Sequence, residues 1–332
     1  MTNGDETIDV DARTYPDRTP LDGARPDGAP AFDRTRIAAL ALLDHAEVAW
    51  DRVQRTAFLI NQRFHYEYPG PIRDLVHRLV IVPPERHGDQ RRVVYHLDTS
   101  IRNYALTERT DPFGNLVLTI EAPEVGVTLD FEAWVVVERR VGAGPHLVPR
   151  QALDDRRLYE PSDLTAPDDA LRRAADRLWA SGDRGETLAA RINDWVYDTM
   201  TYTHQVTDIG TTASEVLALR QGICQDYAHL MIALCRLCGL PARYVSGHLL
   251  GEGGTHAWVE ALLPIEGEPD HAAVVPFDPT HRRRVGLSYV TIAVGRDYRD
   301  VAPTSGYYNA PYRSRLSAGK RVSLTEVEYT PS

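Results

Sequence analysis

The period of the hydrophobic pattern changes part-way along this chain, and that change limits the fold more than any other feature. Between about 50 and 140 the apolar residues fall in short segments of β type, "TAFLINQRFHYEY", "DLVHRLVIVP", "RRVVYHLDT", "NLVLTIEAP" and "VTLDFEAWVVVERR". They are punctuated by the turn-forming "PGP", "PPERHGD" and "DPFGN". Short strands at that spacing predict an antiparallel β-sandwich domain over 50–145. Beyond a connector rich in Pro and Asp, "RQALDDRRLYEPSDLTAPDD", the spacing becomes helical in "ALRRAADRLWAS" and "ETLAARINDWVYDTM". It returns to strands in "ARYVSGHLL", "THAWVEALLP" and "AAVVPFDPT". Helices followed by antiparallel strands predict an α+β domain over 160–315, with a C-terminal strand or tail over 316–332.

Residues 1–34 are rich in Asp, Pro and Gly and poor in bulky apolar side chains, so burial cannot offset the entropy of ordering them. They read as a disordered tail, and "RIAALALLDHAEVAW" after them reads as a short helix. The 37 Lys and Arg against 47 Asp and Glu leave a formal charge of -10. That balance argues against nucleic acid or an anionic membrane surface as partner. No apolar run reaches the roughly 20 residues that span a bilayer, and the N-terminus lacks the basic-then-apolar order of a signal peptide. A cytoplasmic protein is therefore expected. Three cysteines are too few for a disulfide framework, and Cys235 and Cys238 sit inside an apolar helical pattern, where a core role outweighs metal or redox chemistry.

The third cysteine differs in position. In "QGICQDYAHL", Cys224 follows a glycine-led turn, and from it Tyr227, Leu230, Met231, Leu234, Leu237 and Cys238 recur at helical spacing until Gly239 and Pro241 stop the pattern. Cys224 thus lies in the first turn, where unpaired N–H groups and the helix dipole favour an anion. The dipole contributes only about 0.3–1 kcal/mol, so a reactive thiolate also needs a cation beside it. His256 opens one strand and Asp278 closes the next. With residues 264–271 as the hairpin loop, antiparallel partners total about 535 in residue number, which sets His256 and Asp278 side by side. Taken singly, a Cys is most often a small buried apolar residue, a His a satisfied polar group and an Asp before Pro a turn starter. Together they form a nucleophilic triad: thiol, imidazole base and orienting carboxylate. Backbone N–H groups at the helix start can serve as the oxyanion hole.

The blocks "GICQDYAHLMIALCRLCGLPARYVSGHL", "GGTHAWVEALLP" and "PFDPTHRRRVGLSYVTIAVGRDYRDVAPTSGYY" resemble the core of the bacterial transglutaminase-like superfamily. The upstream strands, with "DPFGN" and "VVVERR", resemble the β-rich region often joined to that core, so the resemblance spans roughly 50–312. It implies a papain-like α+β fold, helices packed on an antiparallel sheet, preceded by an antiparallel β-sandwich. It also implies Cys224 as nucleophile, His256 as base and Asp278 as orienting acid. Asp226, His229, Arg243 and Tyr244 also match family-like positions, where packing roles are expected. Tyr202 either lines the acyl site or belongs to the core.

The implied activity is a cysteine-nucleophile acyl transfer on a peptide or carboxamide bond, with hydrolysis by a protease or amidase favoured. The alternatives are transamidation of Gln side chains and, in another class, a non-catalytic peptide-binding scaffold. The substrate would be a peptide, a protein or a small amide. No cofactor is expected: no acidic loop suggests calcium, and His229, His248, His256 and His271 lack metal-ligand spacing. Specificity is expected to reside in the loops 203–213, 251–255 and 264–271.

Overall fold

The structure, a computed structural model, describes residues 42–142 and 146–330. The expected tail over 1–34 lies outside them. The described part of "RIAALALLDHAEVAW" holds no α-helix: single 3-10 turns cover His45–Glu47 and Trp50–Arg52, and Leu43 instead bridges to Leu324.

Seven strands come first: β1 Val53–Glu67, β2 Ile72–Leu79, β3 Arg86–His87, β4 Gln90–Thr99, β5 Ala105–Thr110, β6 Leu116–Val125 and β7 Thr128–Arg140. Strand β8 (His146–Pro149) precedes the helices α1 (Asp169–Trp179) and α2 (Gly185–Thr199). Next come β9 (Thr201–Tyr202), α3 (Ala213–Leu219), β10 (Gln221–Gly222) and α4 (Cys224–Leu237). A run of strands follows: β11 Ala242–Leu249, β12 His256–Ile265, β13 Glu268–Asp278, β14 Arg283–Arg284 and β15 Tyr289–Gly295. The short helix α5 (Tyr298–Val301), β16 (Thr304–Asn309) and β17 (Arg315–Tyr329) complete the chain.

Two compact units result. Among the described residues, the first contains 42–141, 250–255 and 302–330; the second contains 142, 146–249 and 256–301. In the first unit one sheet has the order β17-β1-β7-β4-β3 and the other β16-β2-β6-β5. Inward residues of the two sheets meet: the His77 ring of β2 lies 5.2 Å from Tyr66 of β1 and 4.7 Å from Phe131 of β7. Residues 302–330 supply β16 and β17, and β17 runs antiparallel along nearly all of β1, from Val53↔Tyr329 to Glu67↔Arg315. The segment read as the end of the α+β domain and a strand or tail is thus an integral part of the sandwich sheets.

The second unit is α+β. Its sheet has the order β14-β13-β12-β11-β15, with β8 added against β13, and every pairing is antiparallel. Helix α4 packs on β12 and β11 and is flanked by α1, α2 and α3. Its residues from Cys224 to Arg236 are all buried, which is why it is apolar on most of its circumference. Arg236, buried within it, donates to the carbonyls of Leu158, Ala242 and Arg296 and to the Thr165 hydroxyl. Those acceptors satisfy its fork of N–H groups without a carboxylate. No described helix is long and apolar enough to cross a membrane.

Candidate active site

Helix α4 begins at Cys224 because the preceding residues are held extended and then tied off. The N–H of Ile223 donates to Asp226 Oδ2 at 2.8 Å, closing the first turn from the side-chain side. Gly222 lies directly against that carboxylate, and a Cβ there would collide with it. At the other end Gly239 takes φ +69°, and Pro241 follows, so the helix stops where the sequence indicates. Cys224 is buried but retains 8% exposure. Cys235 in the last turns of the helix and Cys238 at its C-cap are both buried, and desolvation pushes the Cys238 thiol up to about 11 and the Cys235 thiol higher still. Both have the core character expected of them.

His256 and Asp278 meet on the sheet on which α4 packs. His256 Nε2 lies 2.8 Å from Asp278 Oδ2, with side-chain exposures of 1% and 0%. The register differs by one step from the expected one. Residues 264–271 are not a loop: β12 and β13 continue to Ile265↔Glu268 past a bulge, and Val259 stands opposite Phe277. Extended by one residue, that register sets Asp278 against Trp258, and His256 reaches the carboxylate diagonally from the same face. A loop assumed symmetrical about eight residues is in fact a two-residue turn at Glu266 and Gly267, with Gly267 at φ +77°.

Burial would raise the Asp278 carboxyl, but hydrogen bonds from His256 and His281, the charge of His256 and the Tyr289 hydroxyl hold it well below the usual carboxylate range. An ionised carboxylate only accepts, so His256 Nε2 carries the proton of that bond. The other donors are Tyr289 OH to Oδ2 at 2.6 Å, His281 Nδ1 to Oδ2 at 2.9 Å, and the Thr280 and His281 amides to Oδ1 at 2.9 and 3.3 Å. Arg283 Nε donates in turn to the Tyr289 oxygen at 2.7 Å. The closeness of His256, Asp278 and His281, whose ligand-type atoms all lie within 4.8 Å of one another, is accounted for by these hydrogen bonds.

The comparisons with known proteins agree with this architecture. Residues 172–279 match the model of the transglutaminase-like superfamily, and residues 58–138 match the bacterial transglutaminase-like N-terminal region. The chain carries a transglutaminase-like core. An uncharacterized protein of Mycobacterium tuberculosis is 39% identical over 130 residues, 36% of this chain and 40% of that protein. One of Mycobacterium leprae is 34% identical over 162 residues, 46% of this chain and 55% of that protein. The chain thus spans about two fifths to just over half the length of these curated relatives. A solved structure from Cytophaga hutchinsonii, named a "Putative Cysteine Protease", superposes with a TM-score of 0.67 at 23% identity, covering 84% of this chain and 94% of that one. That likeness establishes the fold, and the superfamily's chemistry is cysteine-based.

Within the transglutaminase-like core, Tyr202 and Asp226 fall around the start of α4, His229 lies one turn further along it, and Arg243 and Tyr244 lie on β11. Asp226 is fully buried, its Oδ2 accepting from the Thr207 hydroxyl at 2.7 Å as well as from Ile223, and its carboxyl is raised by desolvation. His229 accepts from the Tyr298 N–H at 3.2 Å and lies 5.1 Å from the Tyr244 ring; burial pushes it down to about 3. Arg243 grips Glu260 with Nε at 2.7 Å and a second nitrogen at 2.6 Å. Tyr202 is not core: it is 46% exposed, paired in register with Gly222 and within ring contact of Tyr227 and His204. Sequence reasoning missed His281, Tyr289 and Arg283. His281 had one available signal: it stands three residues after Asp278 in "DPTH", where an Asp–Pro turn folds position i+3 back onto the acid.

Proposed function

We propose that this protein is a cysteine-nucleophile acyl-transfer enzyme that hydrolyses a peptide or carboxamide bond. The observation that carries the reading is the His256–Asp278 hydrogen bond, fully buried on a strand against which the helix beginning at Cys224 packs. With Nε2 bonded to Asp278, proton exchange with sulfur falls to Nδ1 of His256. The thiol proton passes to that nitrogen and Sγ attacks the carbonyl carbon, while the N–H groups of the first helical turn, which have no intrahelical acceptor, receive the oxyanion. His256 then returns the proton to the leaving amine, the C–N bond breaks, and a thioester remains. Water attacks the thioester, its proton goes to His256, and the carboxylic acid leaves as the thiol reforms. The acceptor is water, because no residue set in the site advertises an amine. The net charge of -10 fits a peptide, protein or small amide partner better than nucleic acid or an anionic membrane.

The test needs no substrate. Alkylation of Cys224 by iodoacetamide is followed by peptide mass spectrometry across pH, in wild type and His256→Ala, with Cys235 and Cys238 as internal controls. Rapid reaction near about pH 6, lost in the variant, is the expected result for a thiolate held by an imidazolium. A Cys224 that reacts no faster than an ordinary thiol, with or without His256, sinks the proposal in favour of a binding scaffold. Incorporation of an added primary amine into a Gln peptide, in place of simple ammonia release, would replace hydrolysis by transamidation.

A further inference from the structure

Asp278 serves two histidines. A triad carboxylate needs only the N–H of its base, yet Oδ2 here also takes Nδ1–H of His281 at 2.9 Å, and the two rings lie 5.3 Å apart, centre to centre. His256 is shut away from solvent, whereas the His281 side chain is 33% exposed and can exchange protons with water. The other charged groups nearby are committed. Arg282 pairs with Asp194 and Asp198, Arg283 binds the Tyr289 hydroxyl, and Arg284 pairs with Glu186. The imidazole of β12 and the phenol of β15 bond the same carboxylate oxygen as His281.

We propose that His281 is a positioning residue for His256 that acts through their shared carboxylate and sets the acid limit of the site. As a neutral imidazole it donates to Asp278 and fixes the carboxylate that orients His256. As an imidazolium it claims the single negative charge between the rings, and a second cation on His256 becomes unfavourable. The His256 imidazolium that would hold the Cys224 thiolate is therefore lost when His281 takes up its proton, and the site closes on the acid side. This inference rests on the assignment of His256 as the base.

The test is a titration of the histidine ring signals by NMR in the full chain, comparing wild type with His281→Asn. The amide of Asn can keep the bond to Asp278 but takes up no proton. The His256 signals are identified by their absence in His256→Gln. The His256 midpoint is expected to rise in His281→Asn by about two pH units, the scale for two charges at this separation near a protein surface. In the wild type the same coupling gives a second inflection in the His256 curve where His281 titrates. The acid limb of Cys224 alkylation should move to lower pH in the variant with its plateau unchanged. A His256 curve that is single and unmoved overturns the proposal, as does a variant that lowers the alkylation plateau at every pH without moving the limb. Should Cys224 react identically with and without His256, the base assignment fails instead, and the ring titrations still decide whether the two histidines are coupled.

Discussion

His77 in the sandwich and His256 in the α+β unit are buried to the same extent, each 2% exposed, and they are built for opposite charge states. His77 meets only the hydroxyl of Thr304 and the rings of Tyr66 and Phe131, and burial pushes it down to about 3, so it is neutral at any working pH. His256 meets a carboxylate that five hydrogen bonds keep ionised, so a proton on its second nitrogen would be compensated. Burial alone therefore says little about what a histidine does. The partner decides: a hydroxyl suits a neutral core residue, where a carboxylate can support an imidazolium.

The largest break in this comparison comes from removing the carboxylate. Asp278→Ala takes the acceptor from His256, His281 and Tyr289 at once and makes His256 resemble His77. Cys224 alkylation near about pH 6 should fall by roughly a hundredfold or more, the scale on which a misoriented triad base fails. Because a buried partner is lost, the α+β unit should also lose about 3–5 kcal/mol in urea denaturation. An unchanged alkylation rate would show that Asp278 is a structural hub without influence on the thiol.

Much of this site was legible in the sequence because each element announces itself locally. Helix α4 shows its start by Gly222 and its end by Gly239 and Pro241, and β12 and β13 show theirs by apolar runs that His256 opens and Asp278 closes. What was not legible is long-range or hidden in a turn. Nothing in the alternation of β17 says that its partner is β1, more than 240 residues earlier, because strand patterning encodes a face and not a neighbour. With the irregularity past Pro264, the register of β12 and β13 lies one step from the expected one, and the diagonal reach of His256 preserves the pair all the same. His281 escaped because its one signal, the Asp–Pro turn of "DPTH", announces a turn and not which side chain folds back onto the acid.

The next effect is a separation of two acid transitions. His77 and His229 have folded values near 3, below the roughly 6.5 of an unfolded chain. Between those limits the unfolded state binds more protons, so each histidine subtracts stability as pH falls through about 6.5, by up to about 1.4 kcal/mol per pH unit. Asp278 has the same sign in a lower window. Its folded carboxyl is depressed, so its contribution is complete above the unfolded value of about 3.9 and is lost only below it. The protection factors of the β2 amides, that is, their exchange relative to the intrinsic rate at each pH, should therefore fall between about pH 6 and 4 in wild type and much less in His77→Gln. An equal fall in both proteins would mean that His77 is protonated in the fold.

The smallest effect isolates the hydroxyl. Thr304 Oγ1 meets both His77 Nε2 and the Tyr66 hydroxyl, at 2.5 and 2.6 Å, and Thr304 lies on β16, the strand that the end of the chain contributes to the sandwich. Thr304→Val keeps the shape and β-branching and removes only the oxygen. The cost should be about 1–2 kcal/mol, the scale for leaving a buried polar group without one of its partners. It should appear in the exchange of β2 and β16 and leave Cys224 alkylation unchanged at every pH. The contrast with Asp278→Ala is the point of the measurement, since both substitutions remove the hydrogen-bond partner of an equally buried histidine. If Thr304→Val altered the pH dependence of alkylation, the hydroxyl-bound histidine would have to influence the thiol, and the division of roles between the two histidines would fail.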